Sequence, residues 1–179
     1  MKKSENYELI SKTEMRNLFH KEKAMCIIYS KGEKGDSQGT GFFLYINNQY
    51  LPFKKCLITN NHILDENDIK SGNYINISCQ NEEKQIRIND KRKTYTDKKL
   101  DYTCIEILDE DNIKQFFEID NNLNVCKGQD IFILQYAGGG DELSFSYGKI
   151  KLIEDNIIKH TCSTDKGSSC SPVIYRYSN

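Results

Sequence analysis

The feature that most constrains the fold is a succession of short β-like segments that runs through most of the chain. Each is four to ten residues long, rich in Ile, Phe and Tyr, and bounded by clusters of Asn, Asp, Gly and Lys. Segments of this length and spacing are typical of an all-β sandwich or barrel. The intervals between them do not hold the repeated helices of a parallel α/β sheet. The segments are 24–29, 41–46, 56–59, 74–79, 85–88, 102–108, 130–135, 144–153, 157–162 and 172–177.

The remaining stretches predict how the chain is divided. Residues 5–22 carry apolar side chains at near-helical spacing, so a short helix is predicted within an N-terminal extension, 1–23. A seam at 109–125 is predicted to separate two β lobes, about 24–110 and about 124–179.

The charge of the chain is nearly balanced, with 25 basic and 26 acidic residues. This balance provides no overall field to attract nucleic acid or an anionic membrane, so neither is expected as a partner. The longest polar interruptions between the predicted strands are 30–38 and 89–99. The basic cluster 91–93 is predicted to be solvated, because Asp90 and Asp97 alternate with it.

The N-terminus leads into no long apolar run, and no segment approaches the roughly 18 apolar residues of a membrane span. A cytoplasmic protein is therefore expected. Seven cysteines stand at wide spacings with no CxxC pair, which gives zinc and redox motifs little support. Reduced and mostly buried thiols are predicted instead.

His62 follows an apolar β-like run, 57–59, that ends in polar residues. This position can place an imidazole at the edge of a lobe, where it can serve as a general base. A histidine held only by turn hydrogen bonds is the alternative for this residue taken alone.

Asp101 stands at the head of the segment 102–108. An aspartate in that position often caps a strand or a turn. A buried carboxylate here would instead accept the Nδ1–H of His62, fix its tautomer and stabilise the imidazolium. Both interpretations remain open from this segment alone.

The segment 164–174 has the pattern of a nucleophile loop. Gly167 lies two residues before Ser169, and Pro172 three residues after it. The glycine allows a turn in which the backbone N–H groups of Gly167 and Ser169 converge on one point, as an oxyanion hole requires. An ordinary serine-rich loop is the alternative.

The three patterns are more specific together than apart. His62, Asp101 and Ser169 occur in this order, 39 and 68 residues apart, so His and Asp fall in one lobe and Ser in the other. Other folds with this set of residues use other orders. With Gly39-Thr40-Gly41-Phe42-Phe43 as a further motif, residues 24–177 resemble the intracellular branch of the trypsin-like, chymotrypsin-fold serine peptidases.

The resemblance implies both a fold and an activity. The peptidase domain would be 24–179, an all-β pair of six-stranded antiparallel barrels with the active site in the cleft between them. Ser169 would attack a peptide carbonyl, His62 would take and return the proton, and Asp101 would orient His62, without a metal or cofactor. The glycines of the 39–43 motif would allow close packing near the histidine.

Two features depart from the family pattern. The residue after the nucleophile is normally glycine, and here it is Cys170, which tolerates glycine-type backbone angles badly. Cys170 is also an alternative nucleophile, although Gly167 and Pro172 are both in register with Ser169. Only ten residues follow Ser169, so the second barrel is predicted to be incomplete.

By register, Ser163 and Thr164 would lie near the base of the primary specificity pocket, with Asp165 close by. An acidic residue there would favour a basic substrate side chain, whereas Ser163 would permit an apolar one. His160, on the preceding strand, is a further candidate for substrate contact, with a structural role as the alternative.

Three functions are consistent with these patterns. The first is a serine endopeptidase that acts on peptides or proteins through an acyl-enzyme intermediate. The second is an inactive trypsin-like module that binds peptides or partner proteins, which Cys170 and the short C-terminus suggest. The third is a β-rich interaction domain with an accidental match, which predicts that His62, Asp101 and Ser169 lie far apart.

Overall fold

The computed structural model describes residues 10–32, 35–48, 52–119, 124–155 and 157–176. Within these ranges a helix, α1 (Lys12–Lys21), precedes two β-sheets. The strands of the first sheet are β1 (Met25–Gly32), β2 (Gly35–Tyr45), β3 (Lys55–Thr59), β4 (Tyr74–Cys79), β5 (Glu82–Arg87), β6 (Thr94–Asp97), β7 (Tyr102–Glu106) and β8 (Phe117–Glu118). Those of the second are β9 (Asp130–Gln135), β10 (Ser144–Glu154), β11 (Ile157–His160) and β12 (Val173–Tyr175). Short 3₁₀ turns occupy Glu22–Ala24, Asp109–Asp111 and Ala137–Gly139.

The first sheet curls around its own core. Its order is β5-β4-β1-β2-β3-β7-β6 with antiparallel neighbours, and β8 adds a short parallel pairing to β2. Alternation along β4 turns Ile75, Ile77 and Cys79 inward, because successive side chains of a strand point to opposite faces. They pack in one buried cluster with Phe43 of β2 and Leu57 of β3.

The second sheet has the order β11-β10-β9-β12 and is antiparallel throughout. Its central strand β9 is buried on both faces. Ile131 and Ile133 pack with Ile150 of β10, whereas Phe132 and Leu134 pack toward α1 and the first sheet. Among the described residues this sheet consists of these four strands and remains open.

Helix α1 packs where the two sheets meet. Ser11 caps it in a capping box, because its side chain accepts from the Glu14 N–H while the Glu14 carboxylate accepts from the Ser11 N–H. Leu18 is the buried residue of the helix and joins the cluster that holds Phe132 and Leu134. The described helix begins at Lys12, and residues 5–9 of the predicted helix lie outside the described ranges.

The prediction of an all-β fold in two lobes with a short N-terminal helix is confirmed, but both polar interruptions contain strand residues. In the interruption 30–38, β1 and β2 continue as a hairpin paired as far as Gly32 and Gly35. In the interruption 89–99, β6 pairs with β7. Strand β6 and these extensions of β1 and β2 were missed because their sequences are polar and their stability comes from backbone pairing with a neighbour.

The prediction of a solvated basic cluster is wrong for Arg92, which is only 5% exposed. Its guanidinium forms a bidentate ion pair with Asp111, at 2.7 and 2.9 Å, and also donates to the carbonyls of Arg87 and Glu106. The planar fork of five donors lets one side chain satisfy several buried acceptors at once. Arg92 therefore joins the β5–β6 connection to the segment after β7.

The prediction of mostly buried, unpaired thiols is confirmed. All seven cysteines are free, five of them are buried, Cys126 is exposed and Cys170 is partly buried. No helix in the described part of the chain combines the length and hydropathy that a membrane crossing requires.

Candidate active site

His62 lies in a tight turn that follows strand β3. The Asn60 carbonyl accepts hydrogen bonds from the N–H groups of Ile63 and Leu64, and both of these side chains are buried. The buried pair anchors the turn and leaves the imidazole on the outside. Gly39 permits this packing, because a Cβ there would lie 2.7 Å from the Ile63 side chain.

Asp101 is the residue immediately before β7, and its carboxylate contacts His62. Its Oδ2 lies 2.7 Å from His62 Nδ1, and its Oδ1 accepts from the His62 backbone N–H at 3.0 Å. Asn60 Nδ2 donates to the Asp101 carbonyl oxygen at 2.7 Å and to Oδ2 at 3.2 Å. Asp101 has a φ of 53°, a left-handed conformation that aspartate tolerates better than most residues.

The expectation that Asp101 is buried is wrong. Its side chain is 43% exposed, and that of His62 is 52% exposed. Asp101 lies immediately before β7, and its carboxylate is partly open to solvent. Water screens the charge interaction of such a pair, so its main contribution is the orientation of the imidazole.

Ser169 approaches the same imidazole from the second lobe. Its Oγ lies 3.1 Å from His62 Nε2. With the Nδ1 proton directed at Asp101, Nε2 is the nitrogen that can accept the serine proton. His62, Asp101 and Ser169 therefore lie together, not far apart as an accidental match would require.

In the loop that carries Ser169, the backbone donors of Gly167 and Ser169 are available. The N–H groups of Gly167 and Ser169 donate to no protein acceptor in the described part of the chain. The neighbouring Ser168 N–H is occupied, because it donates to the Asp165 carbonyl at 3.1 Å. The available pair is the one that the sequence predicts for an oxyanion hole.

Cys170 has the backbone geometry of a glycine. Its φ is 64°, in the left-handed region that a Cβ disfavours. Burial, followed by the nearby Asp101 charge, raises the pKa of the Cys170 thiol to about 12. A thiol that resists ionisation is a poor nucleophile near neutral pH, which favours Ser169 as the reactive group.

The candidate specificity residues lie at the end of β11 and in the segment that follows it. Ser163, Thr164 and Asp165 are exposed, and the Ser163 carbonyl accepts from Gln135 Nε2 at 3.1 Å. His160 is partly buried, and its Nδ1 has no hydrogen-bond partner among the described residues. Contact of these residues with a substrate remains a prediction.

Sequence reasoning missed a set of hydroxyl and amide groups behind the site. Asn61 Nδ2 donates to Thr96 Oγ1 at 2.7 Å, Thr96 bonds the Thr103 hydroxyl at 2.7 Å, and Thr103 donates to the Leu64 carbonyl at 2.6 Å. This series of hydrogen bonds connects the histidine turn to β6 and β7. The available signal was the polar pair Asn60-Asn61 directly after a buried strand, since buried polar groups need partners.

Two β lobes that bring His, Asp and Ser side chains within hydrogen-bond distance of one another are characteristic of trypsin-like serine proteases. Residues 39–178 match the family model described as a trypsin-like peptidase domain, so the chain belongs to that family. Comparison with curated protein sequences finds no significant match.

Solved structures with the same fold are distant in sequence. The serine endoprotease from Yersinia pestis is 13% identical with a TM-score of 0.69, over 94% of this chain and 55% of that one. The active form of the Rv3671c protease from M. tuberculosis is 15% identical with a TM-score of 0.63, over 88% of this chain and 67% of that one. A human pathogenic astrovirus serine protease is 18% identical with a TM-score of 0.58, over 86% and 76%. This chain thus spans about half the length of the Yersinia pestis protein.

Proposed function

We propose that this chain is a serine endopeptidase that hydrolyses peptide bonds through His62, Asp101 and Ser169. The observation that carries the proposal is the continuous line of contacts from Asp101 Oδ2 to His62 Nδ1, and from His62 Nε2 to Ser169 Oγ. Family membership supports protease chemistry of the same kind. The substrate would be a peptide or protein.

In the first half of the reaction, His62 Nε2 removes the Ser169 hydroxyl proton while Oγ bonds to the substrate carbonyl carbon. The carbonyl oxygen becomes an oxyanion that accepts from the N–H groups of Gly167 and Ser169. The intermediate then collapses, the C–N bond breaks, and the proton on His62 passes to the leaving amine. The acyl group remains on Ser169 as an ester.

In the second half, His62 Nε2 removes a proton from water, and the resulting hydroxide oxygen attacks the ester carbonyl. A second oxyanion forms and collapses, which breaks the bond between the carbonyl carbon and Ser169 Oγ. The proton returns from His62 to Ser169, and a carboxylic acid leaves. Asp101 holds the Nδ1–H and stabilises the imidazolium in both halves.

A second candidate function is an inactive peptide-binding module. Two observations favour it: the left-handed backbone at Cys170 beside the nucleophile, and the solvent exposure of Asp101. Strain at this loop can displace Ser169 from the geometry needed for attack. A protein of this kind would bind a peptide at this site without hydrolysing it.

Labelling with a fluorophosphonate probe separates the two functions. Wild type and Cys170→Ser should both be labelled, whereas Ser169→Ala and His62→Ala should lose the label. Ser171→Ala is the matched control, because it removes a second hydroxyl from the same loop without touching His62. A folded wild type that stays unlabelled, or label that persists in Ser169→Ala, would contradict the proposal.

A further inference from the structure

Three successive carbonyl groups of the nucleophile loop are held by donors from the protein. The Lys166 carbonyl accepts from the Gly138 N–H at 2.6 Å, and the Ser168 carbonyl accepts from the Ser171 N–H at 3.1 Å. Between them, the Gly167 carbonyl accepts from Thr40 Oγ1 at 2.7 Å. The two outer donors are backbone groups, and the middle one is a side chain.

This pattern determines where the loop N–H groups point. In a trans peptide the C=O and the following N–H point in opposite directions. Anchoring of the Lys166 carbonyl therefore directs the Gly167 N–H away from Gly138, and anchoring of the Ser168 carbonyl directs the Ser169 N–H away from Ser171. Neither of these two N–H groups has a protein acceptor in the described structure.

The peptide plane between Gly167 and Ser168 joins the two outer planes, and it is held at both ends. Thr40 binds its carbonyl, and the Asp165 carbonyl accepts its N–H at 3.1 Å. A flip of this plane would break both bonds and would rotate the neighbouring peptides. The orientation of both available donors thus depends on this plane.

The neighbours of the Thr40 hydroxyl determine which hydrogen bond it donates and which it accepts. Thr40 is 0% exposed, and its Oγ1 accepts from the Tyr136 N–H at 3.3 Å. A hydroxyl has one proton, so with Oγ1 accepting from Tyr136 that proton is directed to the Gly167 carbonyl. Thr40 lies on β2 of the first sheet and Tyr136 directly after β9 of the second, so the hydroxyl contacts both lobes and the nucleophile loop.

We propose that Thr40 is the positioning residue of the oxyanion hole, holding the Gly167–Ser168 peptide so that the Gly167 and Ser169 N–H groups face the substrate carbonyl. The inference rests on the proposed function. Thr40 touches neither the substrate nor the reacting atoms, so it acts through the backbone of the loop.

The test compares variants that differ in the hydroxyl alone. Thr40→Val keeps the shape and removes the donor, and Thr40→Ser keeps the donor. Thr59→Val is the matched control, because Thr59 is equally buried and its hydroxyl donates to the Thr40 carbonyl rather than to the loop. On a peptide substrate, Thr40→Val should lower kcat by about 10- to 100-fold with KM within about twofold, a smaller loss than removal of an oxyanion donor.

Further readouts distinguish positioning from a general structural effect. The affinity for a peptide aldehyde, which forms a tetrahedral adduct, should fall in Thr40→Val in proportion to kcat. The pH dependence of kcat/KM should keep the wild-type midpoint, because the His62–Asp101 pair is unchanged. Thr40→Ser and Thr59→Val should stay within about threefold of wild type. An equal decrease of kcat in Thr40→Val and Thr59→Val, or an increase of KM without a change in kcat, would overturn the proposal.

Amide hydrogen exchange tests the same proposal without any activity. The Ser168 amide should exchange about tenfold faster in Thr40→Val than in wild type, and at the wild-type rate in Thr40→Ser and Thr59→Val. Unchanged exchange in Thr40→Val would overturn the inference. A wild type without label or turnover would refute the proposed function alone, and exchange would still decide on Thr40. Thr40→Ala replaces Thr40→Val in each comparison if the valine variant does not fold.

Discussion

Cys170 provides the sharpest test of the loop geometry, because its φ of 64° can be detected by substitution. We compare Cys170→Gly with Cys170→Ala. Both variants remove the thiol and its buried contacts, and they differ only in the Cβ. The difference between their free energies of unfolding therefore reports the backbone conformation of this single residue.

Two effects of opposite sign set the expected value. A Cβ in the left-handed region costs about 1–2 kcal/mol, which favours glycine. The greater freedom of glycine in the unfolded chain costs about 0.5–1 kcal/mol, which favours alanine. Because the first effect is larger, we expect Cys170→Gly to be more stable than Cys170→Ala by about 0.5–1 kcal/mol.

Urea unfolding of both variants, analysed with a shared slope, measures the difference. Cys126 is the matched control, because it is exposed and does not have a positive φ. Cys126→Gly should be less stable than Cys126→Ala by about 0.5–1 kcal/mol, the reverse of the order at Cys170. If alanine is the more stable residue at both positions, Cys170 is not left-handed and the strain argument fails.

Three further predictions concern ion pairs. Asp101→Asn should lower kcat on the order of 10³- to 10⁴-fold in a steady-state peptide assay, because the amide stabilises the wrong imidazole tautomer; a loss below tenfold would contradict the orienting role. Arg92→Met should reduce the free energy of unfolding by about 3–5 kcal/mol in urea, because it leaves Asp111 buried and unpaired, and adding Asp111→Leu should recover part of the loss. Arg176 lowers the pKa of Glu14 from 4.5 to about 2, so the stabilisation is complete above about pH 4.5 and is lost as the pH falls toward 2. Glu14→Gln should therefore flatten the decline of Tm between pH 5 and 2 in thermal unfolding; an unchanged decline would contradict this assignment.

Much of the fold was predictable from local pattern. Strands such as β4 and β9 carry runs of Ile, Phe and Leu between turn residues, and their boundaries match the predicted segments 74–79 and 130–135. Strand β6 was not predictable, since Thr94–Asp97 stands among charges and is stable only because β7 offers its edge. Arg92 was misjudged for a similar reason, because its partner Asp111 is distant in sequence.

The candidate site likewise has features that the sequence predicts and features that it does not. The candidates His62, Asp101 and Ser169 could be predicted from the sequence, because each lies in a local pattern of apolar strand and polar turn. The exposure of Asp101 and the contact of Thr40 with Gly167 were not readable, because both depend on how separate segments pack. A buried threonine within a glycine motif has no local signature of the acceptor that it serves.

By itself, the sequence determined the class of fold, the chemical groups of the candidate site and the presence of Cys170 where the family normally has glycine. These depend on residue type, short-range periodicity and chain order. Only the tertiary structure decided which groups hold the nucleophile loop, how far water reaches Asp101, and that Arg92 is buried. The physical reason is that hydrogen bonding and solvation depend on distances between residues far apart in the chain, such as the 127 positions from Thr40 to Gly167.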